Sequence, residues 1–202
     1  MKYPAIKAIT LSGNEPIIDV KGNTIARLTD FWRWAYSNLM GNTERGILAE
    51  YIVACALGIQ NSERILWDKY DLLMNTGNKE IAIEVKSSGY LQSWGQTKLS
   101  ELRFGIQPTL AWEHFSNTYE KAKVRQSNIY VFCVHKHTEQ KNLNPLNISQ
   151  WDFYLLPTEI LNQKVGNQKS IVLSSLIKIG AEKCEYNNLK SRIIELVRID
   201  EI

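Results

Sequence analysis

Glu84 and Lys86 stand two residues apart in a stretch, 80–86, whose apolar and polar residues alternate strictly. Alternation with a period of two is typical of a β-strand with one buried face. A strand here would turn its branched apolar residues toward the core, and these are Ile81, Ile83 and Val85. Glu84 and Lys86 would then be neighbours on the other face, where Lys86 could orient or deprotonate a water molecule or stabilise the charge of a phosphate.

A second carboxylate is brought to this face by a predicted turn. Gly77-Asn78 is a dipeptide that favours a two-residue hairpin loop, and such a loop would pair Asp71 with Glu84. Opposed side chains in a hairpin have Cβ atoms about 4.5–5.5 Å apart, so the two carboxylates would repel each other unless a divalent cation lies between them. A register slip of one residue would instead move Asp71 to the opposite face.

Glu50 is a third candidate, on different grounds. It is the only charged residue between Ile47 and Leu57, in a segment that otherwise has the composition of a buried helix. A buried carboxylate is costly without a partner or a metal ion. Either a role in the site or an ion pair with a nearby Arg or Lys would explain it.

These residues resemble the PD-(D/E)XK phosphodiesterase superfamily, which includes restriction endonucleases and repair nucleases. The resemblance covers roughly residues 43–134 and rests on a spaced pattern: Glu50 in RGILAEY, Asp71 in YDL, and the tripeptide Glu84-Val85-Lys86. It implies that Asp71 and Glu84 bind Mg²⁺, that Glu50 assists in positioning the metal or water, that Val85 offers a backbone carbonyl to the metal and that Lys86 supports the attacking water. Asp71 follows a tyrosine here, where the superfamily pattern has a proline.

The resemblance also implies a substrate and a cofactor. We expect a Mg²⁺-dependent endonuclease acting on DNA, with Mn²⁺ able to substitute and RNA left open as a substrate. Gln92 or Gln96 would correspond to a polar glutamine that some members have after the tripeptide. The alternative is a catalytically silent nucleic-acid-binding or assembly protein of the same fold, because an E-x-K tripeptide by itself is usually a solvated strand face.

The elements that position these residues point to an α/β fold. We predict a helix with Thr43 as its N-cap and Gly58 as its end, and then two strands within 67–75 and 79–86. Apolar runs predict further buried strands over 129–134 and 151–156, with a short helix after Pro157. We therefore expect a restriction endonuclease-like core, a central mixed β-sheet flanked by helices.

The remaining segments complete the outline. We expect residues 1–42 to form an N-terminal appendage packed on the core, with a helix near 28–40, and residues 43–202 to form the nuclease-like α/β domain. Residues 108–125 are interpreted as mixed helix and loop. Apolar spacing predicts an amphipathic helix in 187–202.

Composition restricts the setting without selecting a partner. The 202 residues have a net charge of +3, which permits a polyanionic partner but does not require one. Three widely spaced cysteines do not suggest a disulfide framework, and the N-terminal residues lack the apolar core of a signal peptide, so we expect a cytoplasmic protein with no membrane role. Whether it is a monomer or a homodimer is left open.

Several other residues have two interpretations. Aromatic residues near Lys98 and Arg103 could stack on bases, although core packing is the usual role of an aromatic residue; the candidates are Trp94, Trp112, Trp151 and the tyrosines. A basic run before the strand at 129 could contact phosphates or be a solvated edge, and it consists of Lys121, Lys123 and Arg125. The histidines 114, 135 and 137 lack a third ligand at metal spacing, so we do not predict a zinc site.

Overall fold

The computed structural model describes residues 6, 9–61, 64, 69–113 and 118–199. Its strands are β1 (Pro16–Ile18), β2 (Thr24–Arg27), β3 (Leu72–Asn75), β4 (Glu80–Gly89), β5 (Arg103–Gly105), β6 (Thr109–Glu113), β7 (Thr118–Val124), β8 (Ile129–His135), β9 (Trp151–Pro157), β10 (Ser170–Val172) and β11 (Glu182–Cys184). Its α-helices are α1 (Leu28–Tyr36), α2 (Asn42–Leu57), α3 (Thr158–Val165), α4 (Leu173–Lys178) and α5 (Leu189–Ile199).

A five-stranded mixed sheet forms the centre, in the order β11-β9-β8-β4-β3. Strand β4 is antiparallel to β3 and parallel to β8, and the other pairs are antiparallel. Helices flank the sheet, so the predicted α/β class with a central mixed sheet is confirmed. Every residue of β8 is buried, as expected for a strand covered on both faces.

Each face of the sheet has its own apolar core. Helices α2 and α5 cover the first face, where Val53 and Ile193 pack with Ile83. Helices α3 and α4, together with the β5–β10 pair, cover the second face around Phe132. Full burial of a side chain of this size stabilises the fold by about 1.5–3 kcal/mol. Glu84 and Lys86 alternate with the first-face residues and therefore stand on the side of the second core.

Helix α2 ends as predicted but begins earlier. Gly58 adopts a left-handed conformation with φ of 75°, and its N–H bonds the carbonyls of Ala54 and Cys55, which closes the helix. The prediction of Thr43 as N-cap is wrong, since Gly41 holds that position. The absence of a side chain at 41 leaves room for Glu44 to fold back over the helix N-terminus, where the helix dipole favours a negative charge.

Residues 108–125 do not form the predicted mixture of helix and loop. The described parts are strands β6 and β7, which pair antiparallel with each other. These strands are rich in Thr, Trp, Tyr and Val, residues that favour extended backbone, and this preference prevails. Arg125 fastens the base of the hairpin, donating to the carbonyls of Ile106 and Gly166 at 2.8 Å each.

The other predicted elements agree with the structure or fall partly outside it. The strands near 129 and 151, the helix after Pro157 and the C-terminal helix are confirmed. The N-terminal helix is confirmed but ends at Tyr36. Trp67 and Asp68, predicted to begin a strand, and His114 lie outside the described residues. The predicted division at residue 42 stays a prediction.

No α-helix in the described ranges combines the length and the apolar composition needed to cross a bilayer.

Candidate active site

The register of the β3–β4 hairpin positions the site. Leu72 pairs with Ile83, and the N–H of Thr76 donates to the carbonyl of Lys79 at 2.9 Å, which leaves Gly77-Asn78 as the loop. Gly77 has φ of 88°, a conformation that glycine adopts without steric cost. This confirms the predicted turn and register. Beyond the end of β3, the N–H of Asp71 still donates to the carbonyl of Ile83 at 3.1 Å.

The ammonium group of Lys86 lies between two carboxylates, those of Asp71 and Glu84. Lys86 Nζ forms an ion pair with Glu84 Oε1 and lies 4.0 Å from Asp71 Oδ2. The same Oδ2 accepts a hydrogen bond from the N–H of Val85 at 2.8 Å. The side chains are 20–31% exposed, so solvent can reach a cluster whose charges remain only partly screened. The two carboxylates predicted to be opposed thus share one lysine.

The electrostatics of the cluster follow from this crowding. Burial raises the pKa of Asp71 to about 6, and the neighbouring charge of Glu84 adds to the rise. Burial alone would lower the pKa of Lys86, but the attraction of Glu84 and Asp71 outweighs it and leaves that pKa raised. Lys86 is therefore an ammonium ion at neutral pH, which suits it to stabilising negative charge and not to accepting a proton.

Glu50 lies on α2 and has a different partner. Arg64 binds both of its carboxylate oxygens, from Nε at 2.5 Å and from a terminal nitrogen at 3.1 Å. Of the two explanations considered from the sequence, the ion pair is the one that the structure contains. Glu50 also acts on Asp71 and Lys86 through its charge, so it belongs to the same electrostatic neighbourhood.

A cleft of about 300 Å³ lies beside Glu50, Arg64 and Asp71. Its polar lining includes Glu50, Arg64 and Asp71, whereas Glu84 and Lys86 lie outside the lining. The remaining walls are largely apolar and come mainly from the end of α1 and from α2, including Tyr36, Leu39, Ile47, Leu48 and Tyr51. The cleft therefore gives a ligand access to the carboxylates of Glu50 and Asp71 along an apolar wall.

The donor set fits a hard divalent cation with few protein ligands. Within the described residues, no group of three or more His, Cys, Asp or Glu side chains is arranged to hold a metal ion. Mg²⁺ commonly binds one or two carboxylates and keeps several waters, so Asp71 and Glu84 suffice chemically. The mutual repulsion of these carboxylates also favours a cation beside them.

Gln92 and Gln96 lie in the segment that follows β4. Gln92 accepts a hydrogen bond from Arg45 at 3.2 Å and donates to the carbonyl of Gly89 at 2.8 Å. Gln96 bonds only within its own segment, as far as the described residues show. The structure therefore places both glutamines beside the strand that bears Glu84 without bringing them to the carboxylates.

Two residues near the site were not anticipated. Arg64 follows α2 in a segment with no periodic pattern, and its sequence context contains no signal that pairs it with Glu50. Tyr130 pairs with Glu84 across the parallel β4–β8 ladder, and burial, followed by the charge of Glu84, raises its pKa. Only the alignment of these two strands, which are distant in sequence, identifies Tyr130 as a neighbour.

Fold and site together define an α/β protein with paired carboxylates and a lysine on one hairpin. A sequence model of the family described as bacteriophage T4 endonuclease IV matches residues 19–175, which is most of the chain and includes all the candidate site residues. The chain belongs to this family of endonucleases. Neither the curated proteins nor the solved structures contained a significant match.

Proposed function

We propose that this protein is a Mg²⁺-dependent endonuclease that hydrolyses phosphodiester bonds in DNA through a PD-(D/E)XK-type core. The observation that supports it best is the meeting of Asp71, Glu84 and Lys86 on one hairpin, in the register that the tripeptide pattern requires. Membership of an endonuclease family supports the same reading.

Asp71 and Glu84 are the residues that would hold Mg²⁺ or Mn²⁺, with the Val85 carbonyl as an additional oxygen. A bound metal ion supplies Lewis acidity and stabilises the charge that develops on the phosphate. A cation near Asp71 also opposes the repulsion from Glu84, so the carboxylate remains ionised at lower pH. The hydrogen bond from the Val85 N–H keeps the Asp71 side chain directed toward Glu84.

Lys86 acts as a positive group in this proposal. Its raised pKa keeps it protonated, so it orients water by donating hydrogen bonds and stabilises a phosphate oxygen by its charge. Removal of the charge would leave two partly buried carboxylates without a counterion. The lysine is therefore needed both for the reaction and for the integrity of the pair.

Glu50 and Arg64 line the cleft next to Asp71. A guanidinium group binds phosphate through paired hydrogen bonds, so we assign Arg64 to a phosphate of the DNA backbone. Transfer of Arg64 to a phosphate would release the oxygens of Glu50, which would then position water or the metal ion. The binding of DNA would in this way complete the acidic site.

A second candidate function is DNA binding without cleavage. The observation that favours it is the bidentate hold of Arg64 on Glu50, which occupies the helix carboxylate. A protein that binds DNA without cleaving it would still need the cleft and Arg64. The two functions differ in whether Asp71 and Glu84 are required for a chemical step.

The test is cleavage of single-stranded, duplex and branched DNA with Mg²⁺, Mn²⁺, Ca²⁺ or EDTA. We expect cleavage with Mg²⁺ or Mn²⁺ by the wild type and a loss of at least a hundredfold in Glu84→Gln and Lys86→Gln. Glu80→Gln is the matched control, because Glu80 is an exposed carboxylate on the same strand. Metal-independent cleavage, or unchanged activity of Glu84→Gln, would refute the proposed site; binding without cleavage would favour the second candidate.

A further inference from the structure

The segment between β4 and β5 forms a closed loop at the end of the strand that bears Glu84. The N–H of Ser100 donates to the carbonyl of Tyr90 at 2.9 Å, so the chain leaves and returns at the same point. A compact surface loop with adjacent ends is frequently a functional element. We refer to residues 90–100 as the Gln96 loop.

The Gln96 side chain organises this loop from within. Its Oε1 accepts from the N–H of Gln92 at 2.7 Å, and its Nε2 donates to the carbonyl of Tyr90 at 3.1 Å and to Ser100 Oγ at 2.9 Å. One amide therefore binds backbone groups at the start of the loop and a side-chain hydroxyl at its end. The conformation is held by specific hydrogen bonds although the segment contains no helix or strand.

A buried arginine fastens the Gln96 loop to α2. Arg45 is only 3% exposed, and its guanidinium donates to Gln92 Oε1 at 3.2 Å and to Asn42 Oδ1 at 2.6 Å. Gly89 leaves the space for it, because a Cβ at that position would lie 3.2 Å from a guanidinium nitrogen. No carboxylate among the described residues pairs with Arg45, so this buried charge serves mainly to hold amides and carbonyls in position.

The exposed surface of the Gln96 loop is aromatic and basic. Trp94 is 55% exposed, and Lys98 is exposed with no acidic partner in the described part of the chain. A single exposed apolar side chain is ordinary on a protein surface. Here it stands on a loop fixed by the half-buried Gln96 amide and the buried Arg45 guanidinium, and rigid aromatic platforms of this kind lose little entropy when a flat ligand stacks on them.

The Gln96 loop lies close enough to the site to touch the same ligand. Tyr90 follows Lys86 by four residues along an extended chain, a distance of about 13 Å at roughly 3.3 Å per residue. This corresponds to about four nucleotide steps of one strand, at roughly 3.4 Å per step. A strand with one phosphate at Lys86 can therefore reach the start of the Gln96 loop within a few nucleotides.

We propose that the Gln96 loop is a second DNA-contacting element, in which Trp94 stacks on a base and Lys98 binds a backbone phosphate. The inference rests on the proposed function for its choice of DNA as the partner. The combination of an exposed indole and an unpaired ammonium matches the π-face and the negative charge of a nucleotide. Gln96 and Arg45 are positioning residues that act through the loop.

The first experiment measures binding without cleavage. Fluorescence anisotropy of labelled DNA in EDTA and in Ca²⁺ compares the wild type with Trp94→Ala and Trp94→Phe. Loss of one stacked base corresponds to a decrease in affinity of about tenfold to a hundredfold for Trp94→Ala, and Phe should restore most of it. Trp34→Ala is the matched control, because Trp34 is 84% exposed on α1 and has no part in this loop.

Two further variants test the charge of Lys98 and the hydrogen bonds by which Gln96 holds the loop. Lys98→Gln should reduce the slope of log Kd against log salt concentration by about one. Gln96→Ala should weaken binding although Gln96 contacts no DNA, and it should shift the Trp94 fluorescence of the free protein, which a residue without influence on the loop would not do. An unchanged melting temperature shows that these variants fold.

The outcomes separate this inference from the proposed function. Cleavage by the wild type with unchanged Kd and KM in Trp94→Ala would overturn the role of the loop and leave the nuclease intact. Binding that depends on Trp94 without any metal-dependent cleavage would support the loop and refute the nuclease. Failure of the wild type to bind any DNA would overturn both.

Discussion

The carboxylate of Asp71 accepts a hydrogen bond from the N–H of Val85, the residue that separates Glu84 from Lys86 in the tripeptide. This hydrogen bond holds the side chain of Asp71, which lies just before β3, against the centre of β4. It holds two carboxylates close to one ammonium group, and the repulsion between them adds to the rise that burial causes in the pKa of Asp71.

Asp71 should make the protein less stable as the pH rises. Its folded pKa is about 6, above the ordinary value of 3.8, so the folded state binds the proton more tightly than the unfolded chain does. The resulting stability is fully present below about pH 4 and is lost as the pH rises through about 6. Asp71→Asn should remove this slope and increase the free energy of unfolding at pH 8 by about 1–3 kcal/mol. Urea unfolding between pH 4 and pH 8 measures it, and a slope that persists in the variant would contradict the assignment.

Mg²⁺ should stabilise the wild type through the same pair. A ligand at one hundred times its Kd contributes about 2.7 kcal/mol, which for a chain of this size raises the melting temperature by roughly 5–10 °C. Asp71→Asn and Glu84→Gln should abolish the shift, whereas Glu80→Gln should retain it. Thermal unfolding at pH 8 with and without Mg²⁺ is the measurement, and an equal shift in all four proteins would place the cation elsewhere.

Replacement of Lys86 should affect chemistry and the carboxylate pair together. Lys86→Gln removes the positive charge between Glu84 and Asp71, so kcat should fall by about a thousandfold and the pKa of Asp71 should rise further. Lys86→Arg should restore the pKa of Asp71 more than it restores kcat, because a planar guanidinium cannot replace a compact ammonium group at the reacting phosphate. Single-turnover cleavage and NMR titration of the Asp71 carboxyl measure the two effects.

Arg64 should have opposite effects on metal ions and on DNA. Arg64→Gln frees the oxygens of Glu50, so Mn²⁺ should bind more tightly, while DNA should bind about tenfold more weakly because a phosphate contact is lost. Arg192→Gln is the control, since Arg192 also pairs with glutamates but lies on α5. Electron paramagnetic resonance of Mn²⁺ and anisotropy of labelled DNA report the two affinities, and a parallel change in both would refute the exchange of partners.

The hairpin and the buried strands were predictable because local chemistry determines them. A two-residue Gly77-Asn78 loop permits one register, and that register brings Asp71 to the tripeptide. Gly58 ends α2 for a similarly local reason, since a left-handed residue is needed there. The apolar run of β8 has no polar face to expose, so its burial followed from composition alone.

The remaining features depend on contacts between distant segments. The pairing of Glu50 with Arg64 and the closeness of Tyr130 to Glu84 arise from tertiary packing, which leaves no periodic signal in the sequence. The prediction of mixed helix and loop in place of the β6–β7 hairpin is wrong because short segments of mixed polarity lack the periodicity that identifies a strand. The sequence identifies Gln96 as a polar residue after the tripeptide, but its hydrogen bonds within the loop depend on the three-dimensional structure.

The parallel pairing of β4 with β8 has a consequence for how the protein folds. Ile83 and Ile129, which are neighbours in this ladder, are separated by 46 positions in the chain, whereas the β3–β4 hairpin closes over two residues. The hairpin can form in microseconds but opposes two negative charges before any core covers it, so it gains persistence only when the slower non-local pairing is complete. We therefore expect the pairing of β4 with β8 to limit the rate of folding.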